Sequence, residues 1–108
     1  MRWKELVTYI SGEVKDFNTV MGRQFLEFQS FENEVEVHAP KLWLKVWIDV
    51  GVPDIKFAFQ EPFPSLKQTR SGHFALALQG EQVCIIDAEG LALSSATVGE
   101  SLLDPLVA

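Results

Sequence analysis

Apolar residues near the start of the chain recur at steps of three and four, with polar residues between them. Seven positions follow this spacing: Trp3, Leu6, Val7, Ile10, Val14, Phe17 and Met21. At 3.6 residues per turn these side chains lie on one face of a helix, so the spacing predicts an amphipathic α-helix over residues 3–21. Gly22 follows directly and is suited to end this helix in a left-handed conformation.

From Arg23 onward the hydrophobic period changes to two, and β-branched and aromatic residues become frequent, as is typical of β-strands. A first strand is predicted over 24–31. The next two strands are predicted to pair around a turn at Pro40-Lys41, because this register matches residue types on both faces. It sets four pairs directly opposite each other: Val35 with Val46, Glu36 with Lys45, Val37 with Leu44, and His38 with Trp43.

A second hairpin is predicted by the same matching, with its turn at Gly51-Val52-Pro53-Asp54. Its register sets three pairs opposite each other: Val46 with Phe59, Ile48 with Phe57, and Asp49 with Lys56.

A third hairpin is predicted to turn at Gly80-Glu81, where glycine suits the first central position of a type II′ turn. It sets Leu78 opposite Val83 and Leu76 opposite Ile85. A sixth strand is predicted over 91–98. Beyond it, the pattern of the last residues predicts one short helical turn.

Several predicted strands are apolar on both faces, and a single helix shields only one face of a sheet. Three arrangements would cover the other face: the sheet curls, a second copy docks, or a ligand fills a pocket. The predicted fold is therefore α+β, with the N-terminal amphipathic helix packed on a curved, mostly antiparallel sheet of about six strands. The wrap is expected to be barrel-like or cystatin-like.

The chain has 108 residues, 47% of them hydrophobic, which is enough for one domain with a core of its own. We therefore predict a single α+β domain over 1–108. The only cysteine, Cys84, lies in an apolar run without a partner for an internal disulfide, which favours a reducing compartment. The sequence offers no apolar signal core and no stretch of about 18 apolar residues, so we expect a cytoplasmic protein.

Charge narrows the classes of partner. The formal net charge is −6, and no Lys or Arg follows Arg70. Five acidic residues do follow it: Glu81, Asp87, Glu89, Glu100 and Asp104. A negative surface repels phosphate backbones and anionic lipid, so we expect neither a nucleic-acid nor a membrane partner. A basic protein partner is compatible with this charge.

Glu32, Glu34, Glu36 and His38 alternate along the second strand and invite a metal or acid-base hypothesis. Neighbours on one face of a strand are nearly 7 Å apart, however, whereas the ligands of a zinc ion lie about 2 Å from it. The predicted cross-strand partners supply no further ligand. The preferred interpretation is a solvated charged face, without a metal or cofactor.

Catalytic chemistry finds no support in the sequence. His73 could in principle meet His38 and Asp87, but nothing in the pattern brings these three together. The chain contains no nucleophile elbow, zinc-binding helix, Cys-x-x-Cys pair or glycine-rich phosphate loop. We therefore predict no catalytic residues and a protein that is not an enzyme.

The stretch 60–72 is the longest without strand periodicity, as is typical of a binding loop. Phe63 stands between Pro62 and Pro64, which restrict the backbone around it. Arg70 adds positive charge in an acidic protein. The preferred interpretation is that Phe63 anchors the loop on its own core, while Phe63 and Arg70 remain candidate binding residues.

Trp43 and Trp47 are the main candidate binding residues, because two tryptophans four apart on a strand form a row roughly 13 Å long. Aromatic residues are enriched in the cores of protein interfaces. We therefore expect a non-catalytic binding module, homodimeric through this face. One alternative is a protein that binds a small apolar or cationic ligand in an aromatic-lined cavity. Another is an acidic inhibitor or immunity-type protein that covers a basic site.

Overall fold

The computed structural model describes residues 2–49, 51, 54–79 and 82–107, and it contains two helices and seven strands in that part of the chain. Their bounds, in chain order, are α1 Arg2–Met21, β1 Glu27–Ser30, β2 Glu34–His38, β3 Trp43–Asp49, β4 Asp54–Gln60, β5 Gln68–Gln79, β6 Gln82–Ile86, β7 Ala92–Leu93 and α2 Ser95–Val107. No helix among these residues is long and apolar enough to cross a membrane.

Helix α1 confirms the first sequence prediction. Its predicted apolar face is buried at Trp3, Leu6, Ile10 and Val14, while Met21 at the end of the helix is exposed. Gly22 has a φ of 70° and ends the helix as expected, because glycine adopts this left-handed conformation without the steric penalty of a β-carbon.

The strands form one antiparallel sheet in the order β1-β2-β3-β4-β5-β6-β7, curled into a half-barrel. This confirms the predicted α+β class with a curved antiparallel sheet, although the sheet has seven strands instead of about six. The predicted registers of the β2–β3 and β5–β6 hairpins are also confirmed, including His38 opposite Trp43. The predicted turn at Gly80-Glu81 lies outside the described residues.

The predicted β3–β4 register was wrong by two residues. Val46 pairs with Phe57 instead of Phe59, Ile48 with Ile55 instead of Phe57, and Asp49 with Asp54 instead of Lys56. A shift of two keeps every side chain on the predicted face. Lys56 nevertheless forms an ion pair with Asp49 at 2.9 Å, across the diagonal. The attraction between Asp49 and Lys56 that guided the prediction is therefore real, but it joins diagonal neighbours. Val52 and Pro53 of the predicted turn lie outside the described residues.

The stretch 60–72 is not one long loop, because β5 already begins at Gln68. A register irregularity hid this strand: Phe59 pairs with Arg70 but Gln60 pairs with Gln68, so Thr69 is an extra residue. The side-chain period of two is interrupted at that point.

The predicted end of the chain was also wrong. The sixth predicted strand, over 91–98, is reduced to the two residues of β7, and the predicted single turn is the 13-residue helix α2. Ser94 caps this helix, since its Oγ accepts a hydrogen bond from the Thr97 amide at 3.1 Å. Helix α2 buries five residues: Val98, Gly99, Leu102, Leu103 and Leu106.

Both helices pack on one face of the sheet, which we call the inner face. The core joins Leu6 and Ile10 of α1 and Leu102 of α2 to inner-face residues such as Val46 and Ile85. The opposite side, the outer face, carries the side chains that alternate with this core set. Covering the inner face thus takes two helices, and neither of them is left to cover the outer face.

Candidate interaction surface on the outer face

The outer face of β2, β3 and β4 brings both candidate tryptophans to one surface, which we call the tryptophan face. Its residues are Glu34, Glu36, His38, Trp43, Lys45, Trp47, Asp49 and Lys56. All eight are neither fully buried nor fully exposed. Strand alternation places them there, because each follows or precedes a buried inner-face residue such as Val35, Leu44 or Val46.

Trp43 stacks on His38, its direct cross-strand partner. The two ring centroids are 4.0 Å apart and the ring planes differ by 7°. His38 Nε2 lies 3.4 Å from Glu36 Oε1, two residues away on the same face. The imidazole is thus held between a carboxylate and an indole, and it shields one side of the Trp43 ring from solvent.

Trp47 is partly shielded by Lys45. The Lys45 Nζ lies 5.5 Å from the centre of the Trp47 ring, within the range of a cation–π contact. The same ammonium pairs with Glu34 Oε1 at 3.1 Å, and Glu34 is the direct cross-strand partner of Trp47. Lys45 and Glu34 therefore hold the second indole in place while leaving part of it accessible.

An ion pair between Lys56 and Asp49 extends the tryptophan face toward the β3–β4 turn. Lys56 Nζ donates a hydrogen bond to Asp49 Oδ2 at 2.9 Å. This bond, together with the Asp49 charge, raises the pKa of Lys56 above its ordinary value of 10.5. Asp54, opposite Asp49, is buried, and its Oδ1 has no hydrogen-bond partner within the part of the chain that the structure describes.

A cleft of about 360 Å³ lies beside Trp43, at the end of the face. Its lining is mainly aromatic and proline residues with one carboxylate: Gln24, Phe25, Glu27, His38, Ala39, Pro40, Trp43 and Pro62. The aromatic and proline residues of this lining could contact an apolar group, and the Glu27 carboxylate could pair with a cationic one.

Phe63 and Arg70 are not part of the tryptophan face. Phe63 follows the cleft residue Pro62, but its side chain is 74% exposed, so the preferred interpretation of a core anchor was wrong. Arg70 pairs with Phe59, a buried inner-face residue, and its guanidinium lies 5.9 Å from that ring. The structure therefore places Arg70 on the other side of the sheet from the two tryptophans.

The residues considered for catalysis or metal binding remain apart. His73 lies on β5, where it pairs with Lys56 of β4, and His38 lies on β2. The two histidines are therefore three strands apart, or roughly 14 Å at the usual strand spacing. Asp87 Oδ1 accepts hydrogen bonds from the amides of Glu89 and Leu91 and so organises its own turn. Over the described ranges, no three His, Cys, Asp or Glu side chains are grouped to hold a metal.

Asn18 was missed in the sequence, although it organises the start of the sheet. Its Oδ1 accepts hydrogen bonds from the amides of Phe25 and Leu26, and its Nδ2 donates to the Leu26 carbonyl at 2.8 Å. No local pattern marks this role, because the partners lie after a turn whose geometry the sequence does not specify.

Comparison with protein-family models finds no match for the chain. Comparisons with curated proteins and with solved structures also find none.

Proposed function

We propose that this protein is a non-catalytic interaction module whose contact surface is the tryptophan face, and that a second copy of the chain occupies it. The observation that carries this proposal is the pair of partly buried indoles on a sheet face that neither helix covers. Large aromatic side chains remove much area from water when a partner docks, and they are enriched at the centres of interfaces.

The charges of the face suit a second copy. Acidic Glu34 and Asp49 alternate with basic Lys45 and Lys56, so one patch carries both signs within a few ångströms. A two-fold contact reuses the same patch on both subunits and therefore requires such a mixed surface. The ion pairs at its edge would remain in solvent, where they contribute to orientation more than to affinity.

The test is the oligomeric state of the wild type and of Trp47→Glu, measured by sedimentation or light scattering. We expect the wild type to associate and Trp47→Glu to lose the contact, because docking would have to take a charged carboxylate out of water where the wild type buries an apolar ring. Leu91→Glu is the matched control, since Leu91 is 65% exposed and lies outside the face. A wild type that stays monomeric at high micromolar concentration would end the proposal.

The cleft beside Trp43 supports a second candidate function, the binding of a small apolar or cationic ligand. The cleft places an indole, a phenyl ring and Glu27 around one volume of about 360 Å³. A thermal-shift screen of such ligands tests this, because a ligand at about a hundred times its dissociation constant adds roughly 2.7 kcal/mol of stability. A true hit should lose its shift in Glu27→Gln if the ligand is a cation.

The expected location follows from the cysteine. We propose that the protein acts in a reducing compartment such as the cytoplasm, because Cys84 is half-buried in β6 and carries no disulfide.

A further inference from the structure

The free edge of β1 offers hydrogen-bonding groups in a defined pattern. The Phe31 amide donates to the Glu34 carbonyl at 2.8 Å, which makes this a hydrogen-bonded pair of the β1–β2 ladder. Hydrogen-bonded pairs alternate along an antiparallel ladder, so Gln29 and Glu27 also bond inward to β2. The backbone groups of Leu26, Phe28 and Ser30 therefore point outward, away from the sheet.

Within the described part of the single chain, the outward backbone groups of Leu26 have hydrogen-bond partners, whereas those of Phe28 and Ser30 do not. Asn18 bonds both the amide and the carbonyl of Leu26, in the place that a neighbouring strand would take. Phe28 and Ser30 have no such partner among the residues that the structure describes. β1 is short, with four residues, but it contains neither proline nor lysine and its register is regular, so its free backbone groups remain available for pairing.

A groove of about 580 Å³ runs beside this edge, between β1 and the second half of α1. Its apolar lining residues are Val14, Leu26 and Phe28. Its charged lining residues, within the described chain, are Lys15 and Arg23, and no carboxylate lines it. In a protein with 15 acidic and 9 basic residues, this groove is a local exception that favours an acidic occupant.

We propose that the β1 edge binds the β1 edge of a second copy, so that two sheets join into one continuous antiparallel sheet. Self-pairing must match outward groups with outward groups. Because Asn18 blocks Leu26, the register that uses all free groups of β1 pairs Phe28 with Ser30 of the partner subunit, and Ser30 with Phe28 of the partner subunit. The Gln29 residues of the two copies then face each other across the two-fold axis, and four backbone hydrogen bonds form.

The side chains agree with this register. Glu27 comes opposite Phe31 of the partner subunit, which covers part of a ring that is 52% exposed in the single chain. No like charges stand directly opposite each other. Glu32 of the partner subunit lies in the turn that follows β1, and this turn comes to the Leu26 end of the edge, near the groove that Lys15 and Arg23 line. Its carboxylate would add negative charge near a groove whose described lining residues carry none.

The edge contact goes beyond the proposed contact through the tryptophan face. Edge pairing keeps both inner faces on one side, so its two-fold axis is perpendicular to the sheet. Face-to-face contact has its axis in the plane of the sheet. Two perpendicular two-fold axes that intersect generate a closed set of four copies, and we infer this arrangement for the two contacts together. This larger assembly, unlike the edge contact itself, rests on the proposed function.

Amide exchange in the Trp47→Glu variant tests the edge contact without a contribution from the tryptophan face. The Phe28 and Ser30 amides should exchange freely at low micromolar concentration and slow about tenfold or more near millimolar concentration. The inward amides of Gln29 and Phe31 are the internal control and should be protected at both concentrations. Equal exchange of Phe28 and Ser30 at both concentrations would overturn the proposal.

Ser30→Pro tests the same contact by mass. Its amide points outward, so proline removes a donor that the single chain does not use. We expect four copies for the wild type, two for Ser30→Pro, two for Trp47→Glu and one for the double variant. A Ser30→Pro variant with the same mass in solution as the wild type overturns the edge contact. If the wild type has two copies and Trp47→Glu has the same mass, only the contact through the tryptophan face is overturned.

Glu32→Lys tests the charge match and does not depend on how the fold tolerates proline. In the Trp47→Glu background it should weaken the two-copy state by about tenfold or more, because lysine would then face Lys15 and Arg23. Glu89→Lys makes the same charge change at an exposed residue far along the chain and should leave association unchanged. Equal effects of the two substitutions would contradict the register.

Discussion

Gly99 of α2 lies directly against the ring of Tyr9 in α1, so closely that a β-carbon on Gly99 would overlap Cδ1 and Cε1 of the ring. The two helices can approach this closely only because residue 99 has no side chain. Tyr9 then reaches past the contact, and its hydroxyl donates to Glu100 Oε1 at 3.3 Å.

We predict that Gly99→Ala destabilises the protein although alanine favours helices. The gain in helix propensity is about 1 kcal/mol, and the forced shift of the ring costs more, so the net loss should be about 1–2 kcal/mol. Gly12→Ala is the matched control in α1, where nothing lies within 4 Å of the added carbon, and it should stabilise by up to about 1 kcal/mol. Urea denaturation measures both, and a stabilised Gly99→Ala would contradict the packing.

Asn18→Ala should destabilise the connection between α1 and β1. The substitution removes three hydrogen bonds and leaves partly buried backbone groups without partners, at a cost of about 2–3 kcal/mol. Thr19→Ala is the control on the same helix, because it removes one exposed bond to the Lys15 carbonyl and should change stability little. Denaturant unfolding compares the two, and similar losses would argue against the role of Asn18.

Ser94→Ala should remove the N-terminal cap of α2 at a cost of about 1 kcal/mol. Ser94→Asp keeps an acceptor for the Thr97 amide and should retain most of the stability. Ser101→Ala, at an exposed position inside the same helix, controls for the loss of a hydroxyl. Thermal unfolding by circular dichroism follows all three, and a larger loss for Ser101→Ala would contradict the assigned cap.

The pKa of Tyr9 is raised above its ordinary value of 10.0, first by burial and then by the charges of Glu13 and Glu100. Because the chain has one tyrosine, ultraviolet titration reports on this residue without overlap from another phenol. Glu100→Gln should lower the titration midpoint toward 10.0, while Glu89→Gln should leave it unchanged. An unaltered midpoint in Glu100→Gln would contradict the contact.

The same shift gives a direction for stability against pH. A folded pKa above the unfolded value means that the folded state holds the proton more tightly. The contribution is fully present below about pH 10 and is lost as the pH rises through the folded pKa. Lys56, whose pKa is raised by Asp49, adds a second contribution that is lost above pH 10.5. The wild type should therefore lose more stability between about pH 9 and pH 12 than a Glu100→Gln, Asp49→Asn double variant, as measured by urea denaturation at each pH.

The elements that could be predicted from sequence are those with an uninterrupted period. Helix α1 repeats its apolar residues without a break, and both faces of the β2–β3 hairpin agree on one register. Helix α2 was missed because it contains Gly99 and Pro105, and both residue types are unfavourable inside helices. Gly99 is tolerated because α1 packs closely against it, and Pro105 because it lies near the end of the helix. The β3–β4 register was predicted two residues away from the observed one because the sequence does not show whether Asp49 and Lys56 pair directly or, as they do, across the diagonal.

For the candidate surface, alternation along β3 correctly places Trp43 and Trp47 on one face opposite Val46. The shielding of these rings by His38 and Lys45 depends on side-chain conformations that the period of two does not determine. The role of Asn18 at the sheet edge depends on the path of the chain after Gly22, which the local residue types leave open.

Because the strand order follows the chain order, every strand pairing closes a short loop, whereas the contact of α1 with α2 joins residues about 90 positions apart. Short loops lose little chain entropy on closure, so we expect the meander to form by successive zipping and the two helices to dock on each other afterwards, beyond the main barrier. Interactions absent from the transition state act mainly on the unfolding rate. The Tyr9–Gly99 contact should therefore set how long the native state persists once it has formed.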